Sequence, residues 1–143
     1  MSKIILTKGI QGSGKTTWAK AWVAEDPEHR IRINNDDITS MWGQPFGTPG
    51  LYDRLTYIRK AMLLRAMREN LDIVLDNMNL SNRAINEVNL LIIDKDYNNY
   101  TVEYKDFTNV PLEECIERDS KRENPIGADI ITKTYNKYIK NEN

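Results

Sequence analysis

Gly9-Ile10-Gln11-Gly12-Ser13-Gly14-Lys15-Thr16 has the spacing G-x-x-x-x-G-K-[ST] and is the most informative segment of this chain. An apolar run at residues 3–7 precedes it and predicts a buried strand, while residues 16–24 predict a helix. In this context the glycines let the chain turn tightly, so that backbone N–H groups and the start of the helix face one anion. The segment therefore predicts a phosphate-binding loop for a nucleoside triphosphate, called the phosphate loop below.

Single residues of the phosphate loop have separate predicted roles. Lys15 can reach the β- and γ-phosphates, and the Thr16 hydroxyl can bind Mg²⁺. The backbone of the loop and of the first helical turn supplies the other predicted nucleotide contacts, at Gly12, Ser13, Gly14, Lys15, Thr16 and Thr17. The motif predicts that a triphosphate binds, but it does not predict what happens to the γ-phosphate.

The composition indicates a globular domain rather than a disordered chain, because 40% of the 143 residues are hydrophobic and 29% are charged. The net charge of −1 means that any contact with nucleic acid needs a local basic patch. Cys115 is the single cysteine, which excludes an internal disulfide. The sequence predicts neither a membrane-spanning stretch nor a signal peptide, so we expect a cytoplasmic protein without membrane contact.

Strand and helix patterns alternate along the chain, which predicts an α/β fold with a parallel four-stranded sheet and helices on both faces. We expect one P-loop kinase domain over residues 1–143. The predicted strands lie at residues 3–7, 30–34, 71–75 and 100–107. The predicted helices lie at residues 16–24, 35–42 and 52–70, then after an N-cap at Ser81, and finally at 111–121 and 129–139. Residues 43–50 predict a loop, and the tail from residue 140 is expected to fray.

Acidic residues follow two of the predicted strands, at the edge of the sheet where ligands bind in such folds. Transfer to a hydroxyl needs a carboxylate that accepts the acceptor's proton, and one of Asp36 and Asp37 could do this. The same pair equally suits the N-cap and first turn of a helix. Asp76 ends the third strand as a Walker-B acid does, where it could hold a metal-bound water or orient an active-site side chain.

Arg118 and Arg122 lie four residues apart and so share one face of a predicted helix. With the Pro- and Gly-containing loop that follows, they resemble a kinase lid at about residues 115–130. Such a lid closes over the nucleotide and brings arginines to the charge that develops on the transferred group. Taken alone, the pattern slightly favours a solvated basic helix end that complements the helix dipole.

These segments together resemble the 5′-kinase domain of the bacteriophage polynucleotide kinase-phosphatase family. The likeness follows the chain in order through residues 3–19, 33–37, 76–83 and 110–122. It implies transfer of the γ-phosphoryl group of ATP to the 5′-hydroxyl end of DNA or RNA, with Mg²⁺. It also implies a tunnel-like site that the acceptor enters opposite the nucleotide.

The resemblance assigns roles to individual residues. It makes Asp36 the general base, and it places Lys15 and Arg122 at the transferring group while Arg118 clamps nucleotide phosphates. It implies that Asp76 and Arg83 bind the acceptor, together with the residue three positions after the base. At that position the family has an arginine that contacts the acceptor's phosphate, whereas this chain has Thr39. A neutral hydroxyl cannot replace a charged guanidinium fork, so Arg32, Arg54 and Arg83 are candidates to compensate.

Further expectations concern what surrounds the kinase site. The chain ends before a region that could hold the family's phosphatase motif, so we expect no phosphatase activity. The resemblance leaves the oligomeric state open, a homo-oligomer included, and a phage-encoded enzyme would act in the host-cell cytosol. The sequence does not separate DNA from RNA acceptors, nor does it identify the preferred donor base.

Two other functions fit the same residues. A small-molecule kinase for a nucleoside, nucleotide or sugar would share the phosphate loop, the acid and the lid, and Thr39 keeps this alternative open. A nucleotide-dependent binding module would be protected by ATP against unfolding without forming a product. The chain has no Asn-Lys-x-Asp segment, which disfavours a GTPase.

Overall fold

The computed structural model describes residues 2–44 and 47–140 and has alternating strands and helices. In these ranges the strands are β1 (Ser2–Lys8), β2 (Arg30–Ile33), β3 (Asp72–Leu75) and β4 (Tyr100–Asp106). The helices are α1 (Lys15–Glu25), α2 (Asn35–Ser40), α3 (Leu51–Arg68), α4 (Arg83–Asp94), α5 (Leu112–Ser120) and α6 (Ala128–Tyr138). Residues 45–46 of the predicted 43–50 loop, and residues 141–143 of the predicted frayed tail, lie outside the described residues.

The strands form one parallel sheet in the order β2-β3-β1-β4, which confirms the predicted α/β class. The register pairs Leu6 of β1 with Leu75 of β3, and Leu75 in turn with Ile33 of β2. Because all strands run in one direction, their carboxyl ends meet at one edge. The phosphate loop follows β1 there, Asp36 follows β2 and Asp76 follows β3.

Apolar side chains cover both faces of the sheet, because successive strand residues point to opposite sides. On one face the strands pack against α3 and α4, through Ile4, Leu6, Ile73, Leu75, Leu63, Met67 and Val88. On the other face Ile5 and Val74 pack against Ala19 of α1. The helices thus lie on both faces, as predicted, and α1 holds the phosphate loop against the sheet.

The C-terminal helices α5 and α6 pack against the phosphate loop rather than against the centre of the sheet. Their shared cluster contains Ile10 of the loop, Leu80, Cys115, Ile131 and Ile139. The segment predicted as a lid, residues 115–130, spans the second half of α5, the loop after it and the start of α6. Whether it closes over a nucleotide stays a prediction.

One predicted helix boundary is wrong. Helix α4 begins at Arg83 with Asn82 as its N-cap, not Ser81. The Ser81 hydroxyl lies two residues before the helix and accepts only a long 3.5 Å hydrogen bond from the Arg83 N–H. Among the helices of residues 2–44 and 47–140, none is both long and apolar enough to cross a membrane.

Candidate active site

The phosphate loop has a backbone shape that requires glycine. Gly12 and Gly14 have φ values of +80° and +99°, which glycine adopts without strain. Gly12 also lies so close to α5 that a Cβ atom there would collide with the Cys115 carbonyl oxygen. Gly14 is the N-cap of α1, and no side chain caps this helix or places an acid in its first turn. The positive end of the α1 dipole therefore remains available to a phosphate.

Lys15 is a largely buried cation at the start of α1. Its side chain folds back over the loop, and Nζ donates a 2.7 Å hydrogen bond to the Ile10 carbonyl. Burial lowers the pKa of Lys15 to about 8, although Asp76 and Asp36 attract the ammonium and oppose this change. A bound phosphate would add negative charge and favour the protonated lysine.

Asp76 joins the end of β3 to the phosphate loop. Its Oδ2 accepts a 2.9 Å hydrogen bond from the Thr16 hydroxyl and a 2.7 Å bond from Arg32 Nε. The side chain is buried, and Oδ1 has no hydrogen-bond partner among the described residues. An unpartnered carboxylate oxygen beside the loop threonine fits a Mg²⁺ site held by Thr16 and Asp76, directly or through water.

The protein supplies few ligands for a metal ion at this point. In the described part of the chain, no group of three or more His, Cys, Asp and Glu side chains could hold one. An ion beside Thr16 would therefore take most of its oxygen ligands from nucleotide phosphates and water, as Mg²⁺ commonly does.

The structure separates Asp36 from Asp37, which the sequence alone left equivalent. Neither is the N-cap of α2: this is Asn34, whose Oδ1 accepts a 2.8 Å hydrogen bond from the Asp37 N–H. The Asp37 carboxylate forms a 2.6 Å ion pair with Arg32. Asp36 is exposed in the first turn of α2 and lies outside that ion pair, so its carboxylate is accessible to a ligand.

A cleft of about 410 Å³ opens beside the carboxyl ends of β2 and β3, between α3 and α4. This volume falls in the range of pockets that bind small ligands. Its polar lining includes Asn35, Tyr52, Arg59, Asn77, Arg83 and Glu87. The lining does not include the phosphate loop, so the cleft is separate from that loop.

Two arginines line the cleft in different electrostatic states. Arg83 donates a 2.7 Å hydrogen bond to the Tyr52 hydroxyl, and its guanidinium lies 5.5 Å from that ring centroid. Because tyrosine is neutral, the charge of Arg83 remains available to an anion. Arg59 instead forms a 2.9 Å ion pair with Glu87, so its charge is already balanced.

Arg59 is one of several cleft residues that sequence analysis missed. It is buried on α3, four residues after Leu55 and four before Leu63, on the helix face that meets the core. A charged residue in an apolar stripe needs a partner, and that position was the available signal. The sequence does not reveal the partner, because Glu87 belongs to a different helix.

Two predicted acceptor residues do not line the cleft. The Thr39 hydroxyl donates a 3.2 Å hydrogen bond to the Asp36 carbonyl within α2, and Asp76 lies beneath the phosphate loop. Of the arginines that could compensate for Thr39, Arg32 is bound to Asp76 and Asp37, and Arg54 is not part of the lining. The structure therefore brings only Arg83, among those three candidates, to the cleft.

The two predicted lid arginines make different contacts. Arg118 donates a 3.3 Å hydrogen bond to the Gly12 carbonyl and also pairs with Glu114. Arg122 is exposed and lies 3.6 Å from the carboxylate of Asp119. Arg118 thus contacts the loop directly, while Arg122 lies just beyond α5. In addition to burial, the positive charge of Arg122 helps to lower the pKa of Lys15.

Asp119 anchors the loop between α5 and α6. It is buried and accepts hydrogen bonds of 3.0 and 2.9 Å from the N–H groups of Ile126 and Gly127. Burial alone would raise the pKa of Asp119, but these two hydrogen bonds lower it overall. The ionised carboxylate thus holds both Arg122 and the following loop.

Comparison with solved structures gives the same fold. One chain of a structure described as "Structure of the Pnkp1/Rnl/Hen1 RNA repair complex" is 23% identical with a TM-score of 0.73, covering 99% of this chain and 46% of that chain. A chain of a second Pnkp1/Rnl/Hen1 complex is 24% identical with a TM-score of 0.66, covering 82% and 38%. The crystal structure of APE1195 is 19% identical with a TM-score of 0.55, covering 96% and 76%.

These likenesses concern the fold, and this chain spans less than half the length of the chains from the two Pnkp1/Rnl/Hen1 complexes. The sheet order, the phosphate loop and the helices on both faces are those of a P-loop kinase fold. A family model matches residues 4–140, nearly the whole chain. On this evidence the protein belongs to the AAA_33 family, described as an AAA domain.

Proposed function

We propose that this protein is a kinase that transfers the γ-phosphoryl group of ATP to the 5′-hydroxyl end of DNA or RNA. One observation supports this proposal most strongly: three features lie at the same edge of the sheet. They are the phosphate loop, the exposed carboxylate of Asp36 and a cleft large enough for a nucleotide. The similarity in fold to chains of the Pnkp1/Rnl/Hen1 RNA repair complex supports a nucleic-acid acceptor.

On the donor side, Lys15 and the backbone of residues 12–17 hold the phosphates. Thr16 and Asp76 would hold Mg²⁺, which would offset the negative charge of the phosphates. Arg118 clamps the nucleotide phosphates from α5, next to Gly12. Arg122, four residues further on, stabilises the charge that develops on the transferring group.

On the acceptor side, Asp36 accepts the proton of the 5′-hydroxyl. The oxygen of that hydroxyl forms a bond to the γ-phosphorus at the same time. The bond from that phosphorus to the β–γ bridging oxygen breaks, and ADP leaves. Arg83 binds the acceptor's own phosphate in the cleft. Among the described residues, Arg83 forms no ion pair with a carboxylate. The Tyr52 hydroxyl and ring orient its guanidinium.

A small-molecule kinase is the second candidate. Thr39 favours it, because the helix that carries the base supplies no arginine for an acceptor phosphate. The bounded volume of the cleft also suits a mononucleotide or a nucleoside. In this case Asp36 keeps its role, and only the acceptor differs.

The test is a transfer assay with γ-labelled ATP and Mg²⁺ across 5′-hydroxyl DNA and RNA oligonucleotides, nucleoside 3′-monophosphates, free nucleosides and sugars. We expect label on the 5′ ends of oligonucleotides and little on sugars or free nucleosides. Label on nucleosides or sugars alone would establish the second candidate. Asp36→Asn should bind ATP normally and lower the transfer rate by about 10²–10⁴-fold, which leaves a residual rate that can be measured at excess enzyme. Full activity of this variant would refute the assignment of the base.

A further inference from the structure

We propose that Arg59 is a positioning residue that acts through Asn35, which lines the cleft, to fix the backbone position of Asp36. This inference rests on the proposed function, in which Asp36 is the general base. It concerns a residue that touches neither the phosphate loop nor the transferred group. Its effect passes through one side-chain amide that is adjacent to the base in the chain.

The first step of the argument is the fork made by Arg59. One nitrogen, Nη2, donates a 2.9 Å hydrogen bond to Glu87 of α4, and the other, Nη1, donates a 3.1 Å bond to Asn35 Oδ1. Both charged side chains are largely buried, at 9% and 19% exposure. A buried ion pair loses so much solvation that it often adds little net stability. We therefore assign the pair a role in orientation rather than in stability: Glu87 holds the arginine towards Asn35 and also joins α4 to α3.

The second step is that Asn35 is held from both sides. Its backbone N–H donates a 2.9 Å hydrogen bond to Asn77 Oδ1, beyond the end of β3, while its side chain binds Arg59 of α3. Asn35 is the first residue of α2, and Asp36 follows it directly. A helix of six residues is too short to be stable alone, so external contacts must set where its first turn lies.

The third step concerns the neighbours of Asp36. Asn34 donates to the Asp76 carbonyl at 2.6 Å, and Asp37 pairs with Arg32 at 2.6 Å. With Asn35 bound to Arg59, every residue flanking Asp36 is tied to another element. The backbone that carries the Asp36 carboxylate is thus held on both sides, and Arg59 supplies the contact that comes from the wall of the cleft.

The decisive variants separate this role from simple support of the fold. Asn35→Ala removes the acceptor of Arg59 but leaves its own N–H bonded to Asn77. Arg59→Lys keeps a cation for Glu87 but loses the fork that reaches two partners at once. The matched control is Arg65→Gln with Glu69→Gln, an exposed ion pair of 2.8 Å on the same helix.

We expect Asn35→Ala and Arg59→Lys each to lower kcat by about tenfold to a hundredfold, because a small displacement of a catalytic group has effects of this size. The KM for ATP and the urea midpoint should stay near wild-type values, and the double variant should be no slower than either single variant. The control pair should leave kcat unchanged.

The same substitutions are then made in the Asp36→Asn background, with single-turnover rates measured at excess enzyme. If Arg59 and Asn35 act through the base, they have no further effect once the base is absent. The inference is overturned if the substitutions lower the transfer rate equally in the wild-type and Asp36→Asn proteins. It is also overturned if they leave kcat unchanged in the wild-type protein. Failure of the proposed function looks different: the wild-type protein would then label no acceptor, or Asp36→Asn would be fully active.

Discussion

The Thr16 hydroxyl donates a 2.9 Å hydrogen bond to the buried Asp76 carboxylate, which fastens the first turn of α1 to the end of β3. The two residues lie 60 positions apart in the chain, yet they form one unit beside the phosphate loop. Arg32 donates to the same oxygen and so orients the carboxylate from β2. The other oxygen, Oδ1, has no hydrogen-bond partner among the described residues and is therefore chemically suited to bind Mg²⁺.

Asp76→Asn should therefore lower kcat by about tenfold to a hundredfold, the usual effect of removing a group that orients or supports a metal ligand. The loss should be accompanied by a higher Mg²⁺ concentration for half-maximal activity, measured by titrating Mg²⁺ at saturating ATP. Asp72→Asn is the matched control, because Asp72 lies at the other end of β3, where its side chain accepts a 2.9 Å hydrogen bond from the Lys3 N–H. Equal Mg²⁺ requirements in both variants would contradict the metal role.

The affinity for ATP should fall as pH rises above about 8, the pKa to which burial lowers Lys15. Below this pH the free protein already carries the charged lysine that a phosphate needs. Above it the lysine of the free protein is neutral, so binding must take up a proton, and this cost grows with pH. Calorimetry in buffers of different ionisation enthalpy should show proton uptake that approaches one per site. The control is Lys20→Met, a change of an exposed lysine that should leave the pH dependence of ATP affinity intact. An affinity of the wild-type protein that does not change with pH would contradict the prediction.

Gly12→Ala should destabilise the protein more than Gly43→Ala, although both glycines have positive φ values. A Cβ atom at either position costs about 1–2 kcal/mol of backbone strain. At Gly12 it also collides with the Cys115 carbonyl oxygen, whereas nothing lies within 4 Å of the corresponding atom at Gly43. Urea unfolding measures the difference, and ATP binding should be lost only in the first variant. If the two variants had similar free energies of unfolding, α5 would have to move away from position 12 at little cost.

Arg118→Ala and Arg122→Ala should have different kinetic effects. Arg118 already lies at the phosphate loop, so its loss should mainly raise the KM for ATP. Arg122 is assigned to the transferring group, and its loss should lower kcat by about a hundredfold or more. The control is Lys121→Ala, an exposed cation in the same segment that pairs with Glu117 at 3.3 Å. If all three variants behaved alike, the segment would be a solvated basic helix end and not a lid.

The fold was predictable because its signals are local. The glycine pattern, the apolar runs and the turn residues each act within a few positions, and parallel topology then brings the strand ends together. The cap of α4 was misplaced by one residue, because Ser81 and Asn82 are both good capping residues and only the backbone geometry distinguishes them.

The division of labour between side chains was less predictable. Asp36 and Asp37 look alike in sequence, and they differ only because Arg32 of the neighbouring strand reaches one of them. Arg59 was missed because its partners come from α2 and α4, and neither contact repeats at helical spacing. Such roles depend on how helices pack, which a single sequence does not encode locally.

The close approach of Gly12 to the Cys115 carbonyl bears on how substrates enter. Helix α5 rests directly on the turn that surrounds the triphosphate, and Ile10 and Cys115 share one apolar cluster. A hinged flap that swings clear of the nucleotide would have to break this packing in every turnover. We therefore expect α5 to stay in place when a nucleotide enters or leaves the phosphate loop.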